Sequence, residues 1–138
     1  MNTDLAAQKA LDRLVKVGDG ALTSTEKTLA TTWLFEAGVS NSGFARYFAS
    51  SRADLAFNAP AALRAIGALQ MAEIAAEANA VFGPGGPPRN RAERRAIVAT
   101  LPEEARRTFA TLEVRFFRCS EDIDELLDRF LARQGGPA

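Results

Sequence analysis

The chain has 138 residues, 47% hydrophobic and 25% charged, values that fit one globular domain able to bury a core without covalent staples. Seventeen basic side chains balance seventeen acidic ones, so no global field draws the molecule to nucleic acid or to a membrane surface. A lone cysteine, Cys119, excludes an intramolecular disulfide or a thiolate cluster, and the lack of histidine removes the usual general base, the common metal ligand and every Ser-His or Cys-His pair.

Leu5, Leu11, Leu14 and Val15 recur at helical spacing and predict an N-terminal helix over 4–17, closed by Gly18 and Gly20. Thr23, Ser24 or Thr25 then supplies an N-cap, and Leu29, Trp33, Leu34 and Ala37 make one apolar stripe. Gly38 to Asn41 is expected to end that helix. Asn41 is expected to cap a short helix carrying Phe44, Tyr47 and Phe48 at i, i+3, i+4. Asn58 precedes "APAALRAIGA", with Pro60 suited to a first turn, and Gly67 separates this from "LQMAEIAAEANAVF". "GPGGPPRN" is a loop, because its prolines and glycines forbid helix or central strand. Helical stretches follow over 91–100, 102–118 and 120–133, the last opened by Ser120 and acidic residues that suit a helix N-terminus. No segment alternates with a period of two. The expected fold is all-α, one domain over 1–138 with about six to eight short helices and a disordered tail at 135–138.

The start "MNTDLAAQKALDRL" has no basic stretch leading into an apolar run, unlike a signal peptide. The weakly polar run from Ala59 to Phe82 carries Arg64, Glu73 and Glu77 and does not suit a membrane span. A cytoplasmic location is expected, with no membrane contact, cofactor or metal.

Candidate chemistry is sparse. "GPGGPPRN" lacks the Lys-Ser/Thr ending of a phosphate loop, and its prolines delete backbone donors, so a rigid connector is the preferred reading. Cys119 has Arg115 and Arg118 on one side but Glu121 and Asp122 on the other, and reads as a small packing residue. Glu36, set among apolar neighbours beside Trp33, is the carboxylate to watch. Desolvation there would raise its pKa for acid–base work; the preferred reading is a hydrogen bond to free N–H groups at the corner. Glu73 and Glu77, one turn apart, read as a solvated face.

The charges come in blocks. Arg89, Arg91, Arg94, Arg95, Arg106, Arg107, Arg115 and Arg118 crowd segment 89–118, while Glu121, Asp122, Asp124, Glu125 and Asp128 make the last helix acidic. The basic block could meet nucleic acid. The preferred expectation is that the two blocks pair within the fold, with Phe109, Phe116 and Phe117 as a core stripe. The acidic helix could also present a phosphate-like surface to a basic partner.

"TTWLFEAGVS" followed by "NSGFARYFASS" resembles the signature of a bacterial family of domains of unknown function that includes DNA-mimic proteins (DMP). Asn41, Gly43, Phe44, Tyr47 and Phe48 match the family pattern, with Ser42 in place of a glycine and Arg46 in place of a glutamine. Trp33 and Glu36 stand on the preceding helix. The likeness continues through "AALRAIGA" and "FATLEVRFF" and covers 25–131. It implies an all-α fold without catalysis and, from the mimics, a dimer whose acidic surface imitates duplex phosphates and occupies a transcription regulator. The neutral net charge departs from that pattern. The expected function is therefore a non-enzymatic domain with a protein partner, with room for a homodimer. Glu121, Asp122, Asp124, Glu125 and Asp128 are its candidate contact residues, and Trp33, Glu36, Asn41, Gly43, Phe44, Arg46, Tyr47 and Phe48 form its motif corner. The alternatives are nucleic-acid binding through 89–118 and an enzyme centred on Glu36.

Overall fold

The computed structural model describes residues 3–135. Its helices are α1 (Thr3–Val17), α2 (Ser24–Phe48), α3 (Ala59–Ala65), α4 (Leu69–Ala80), α5 (Arg91–Ala99), α6 (Glu103–Arg118) and α7 (Ile123–Gly135), with 3-10 turns at Asp19–Ala21, Ser51–Ala53 and Ala56–Asn58. There is no strand among the described residues. Of the tail expected at 135–138, Gly135 closes α7 and the rest lies outside the described residues.

Local chemistry sets several ends. Thr23 opens α2 with a full capping box: its hydroxyl accepts from the Glu26 N–H and the Glu26 carboxylate accepts from the Thr23 N–H. Asn90 opens α5 by accepting from the Glu93 N–H at 3.0 Å. Pro60 sits in the first turn of α3, as expected. Asn58 does not cap that helix; its amide donates instead to the Thr31 hydroxyl at 3.1 Å. The start of α7 is also corrected. Asp122, not Ser120, accepts from the Glu125 N–H at 3.1 Å.

α2 is the central element, packed against α1, α3, α5, α6 and α7. Its buried face meets α6 in a ring cluster of Phe35, Phe44, Phe48, Phe109 and Phe116, with centroids 5.6–6.4 Å apart. Phe82, in the turn after α4, closes onto Phe48 at 4.7 Å. Phe109 and Phe116 thus belong to the core as expected, while Phe117 does not: it is 63% exposed.

Candidate functional site

The motif corner is built around a backbone break at Gly43, not across Gly38–Asn41. Gly43 has φ 78° and ψ 173° inside an otherwise helical run, a region open to glycine alone without strain. Gly38 stays helical and is glycine for a different reason: a Cβ there would lie 2.5 Å from Cδ1 of the Tyr47 ring. The chain turns at Gly43 and folds that ring back onto the preceding turn of α2.

The break frees the Phe44 N–H, and the Glu113 carboxylate on α6 accepts it at 2.9 Å. The role expected of Glu36 therefore belongs to Glu113, 69 positions from Phe44. Trp33 is half-buried, and Phe35 makes the ring contacts to Phe44 and Tyr47. Asn41 is exposed and its side chain caps nothing among the described residues. Phe44, Tyr47 and Phe48 are buried, and Arg46 reaches solvent. Burial also pushes the Tyr47 phenol far above its ordinary value and keeps it neutral.

Arg94 secures the corner from the other side. It is 0% exposed. Its guanidinium donates to the carbonyls of Phe48, Ser50, Pro88 and Arg89 at 2.7–2.9 Å and to the Asp54 carboxylate at 2.5 Å. Every N–H of the fork is used. Placing Arg94 in a nucleic-acid surface is thus overturned: it ties the end of α2 to the Pro/Gly loop. Sequence reasoning missed this pin, since nothing local separates Arg94 from Arg95, which is exposed.

Three other arginines of the block are ion-paired. Arg89 meets Asp19 at 2.6 Å, Arg107 meets Glu103 at 3.0 Å and Arg115 meets Glu77 at 2.8 Å. These partners lie outside α7, contrary to the expected pairing between the basic and acidic blocks. Within α7, Glu125 pairs with Arg129 at 2.6 Å.

The acidic block divides in two. Glu121 points inward, its two carboxylate oxygens accepting from the N–H groups of Gln70 and Met71 at 2.9 and 2.8 Å. It caps α4 from a distance, where the helix dipole favours an anion. Asp122, Asp124, Glu125 and Asp128 are exposed. Beside them lies a cleft of about 280 Å³ with Glu36, Phe117 and Asp124 on its walls. Burial, and then the charge of Asp124, raise the Glu36 carboxyl above its ordinary range. Cys119 also faces this cleft, and burial together with the nearby Glu121 charge pushes its thiol up, away from thiolate character. No group of three or more acidic or cysteine side chains among the described residues is arranged to hold a metal ion.

These features define an all-helical domain with a rigid aromatic corner and an acidic, partly apolar face. The model of the family described as DMP19-like protein matches residues 20–134, and the chain belongs to that family. The likeness read over 25–131 falls inside the match, which begins after α1. No curated protein and no solved structure matches the chain. No helix of the described residues is long and apolar enough to cross a membrane.

Proposed function

We propose that this chain is a non-enzymatic interaction domain whose α7 face receives a basic surface of a DNA-binding protein. The observation that carries the reading is the solvent-facing set Asp122, Asp124, Glu125 and Asp128 beside the 63% exposed Phe117. Carboxylates spaced along a helix offer a basic surface the kind of charge it meets on a phosphate backbone. Phe117 adds an apolar anchor of the kind that dominates protein interfaces. Membership of the DMP19-like family supports the same direction. Because the net charge is zero, the mimicry is local, confined to one face.

The test is affinity capture from native lysate, with and without nuclease, using wild type and the triple variant Asp122→Asn, Asp124→Asn, Asp128→Asn. Asparagine at 122 keeps an N-capping side chain. The expected result is a stoichiometric DNA-binding protein that survives nuclease, weakens with salt and is lost with the triple variant. Capture indifferent to the three substitutions would remove the α7 reading. Recovery of nucleic acid instead would favour the exposed arginines of α5 and α6.

A further inference from the structure

An open groove of about 810 Å³ runs between α1, the turn at Asp19–Ala21 and the segment following the corner, a size typical of small-molecule sites. Leu11 and Leu14 of α1, Leu34 of α2 and the buried Leu55 make its apolar walls. Leu11, Leu14 and Leu34 are only partly covered, although their spacing marks them as core positions. Nothing among the described residues fills the space between them.

The rim holds four charged side chains, and three are already answered. Arg89 pairs with Asp19 and lies over the Phe57 ring at 4.6 Å, and the Asp54 carboxylate is held by Arg94. Arg52 is exposed and makes no ion pair among the described residues. The groove therefore offers one uncommitted guanidinium at the edge of a leucine trough.

We propose that this groove binds an amphipathic monoanion, a carboxylate on an unbranched aliphatic tail. The carboxylate meets the planar fork of Arg52, which suits it geometrically, and the tail lies along Leu11, Leu14 and Leu34. A peptide fits less well. Its amide groups would face leucine walls without partners, and the Asn90 side-chain amide oxygen at the rim is already engaged with the Glu93 N–H. No aromatic ring lines the groove, which favours an aliphatic tail over a flat one. The α1 wall precedes the stretch matched by the family model.

The test is a methyl and amide NMR titration of the full chain with hexanoate, octanoate and decanoate, below micelle formation and at constant ionic strength. Shifts should gather on Leu11, Leu14, Leu34 and Leu55, and affinity should rise roughly fourfold per added methylene. Arg52→Gln should weaken decanoate by about tenfold, the order expected for one charge-assisted contact, and leave the neutral decanol unchanged. Leu14→Glu should abolish binding of both. Because Leu14→Glu alters α1 packing, the exposed Arg52→Gln variant carries the decision. Shifts scattered over the surface, no dependence on chain length, or equal loss of acid and alcohol with Arg52→Gln would overturn the proposal.

Discussion

The Gly43 corner and the outer side of α7 are both dense in distinctive side chains, and the fold treats them in opposite ways. At the corner, three of the motif's aromatics are buried, the freed N–H is answered by Glu113, and Arg94 locks the outgoing chain. At the start of α7 and along it, four carboxylates stay in solvent: Asp122 caps the helix and Glu125 pairs with Arg129 of the same helix. The corner carries the family signature but spends it on packing. The α7 face, which any acidic helix could imitate, keeps its carboxylates exposed to solvent. A recognisable motif and a functional surface need not coincide.

Substitutions can break this contrast, beginning with the core. Arg94→Ala should destabilise by about 3–5 kcal/mol, since it leaves four carbonyls without their donor, removes the ion partner of the half-exposed Asp54 and empties a fully buried site. Arg94→Lys should recover only part of that, because an ammonium cannot reproduce the fork. Denaturant unfolding measures both. Phe44→Ala should cost a similar ~3–5 kcal/mol by opening a cavity among four rings, again read from the unfolding midpoint.

Gly43→Val should cost roughly 1–3 kcal/mol from backbone strain, and its Cβ would press on the Glu113 carboxylate, 2.9 Å away. Full thermal stability in this variant would contradict the corner geometry. Glu121→Gln should cost about 1 kcal/mol by weakening the cap on α4. Amide exchange at Gln70 and Met71 should quicken in that variant.

The smallest effect concerns pH. Burial and Asp124 raise the Glu36 carboxyl above the ordinary 4.5, so the folded state holds that proton more tightly than the unfolded chain. Stability from this group is therefore full below about 4.5 and falls as pH rises through the folded value. Glu36→Gln removes the penalty. It should raise Tm by roughly 1–2 °C near neutral pH, and the gain should vanish in acid. A gain that persists in acid would contradict the assigned cause.

Much of the helical plan was legible because its determinants are local. The Thr23–Glu26 box spans three residues, Pro60 marks a first turn, and the Pro/Gly stretch can form neither helix nor strand. The corner misled by two residues in its break point. Gly38 looks like a breaker, yet it is glycine to admit the Tyr47 ring, and no local rule separates that use from a helix end. Glu113, Glu121 and Arg94 were beyond reach for another reason. Each satisfies backbone groups that the tertiary fold brings to it across 44 to 69 positions. A charge buried by distant partners looks the same in sequence as a solvated one.

Division of labour between corner and α7 is best tested by one paired measurement on the triple variant Asp122→Asn, Asp124→Asn, Asp128→Asn: its thermal midpoint together with its capture of the partner held by wild type. The expected result is an essentially unchanged midpoint, as is usual for surface substitutions, with capture abolished. Undiminished capture in a variant that folds normally would contradict the assignment of binding to α7.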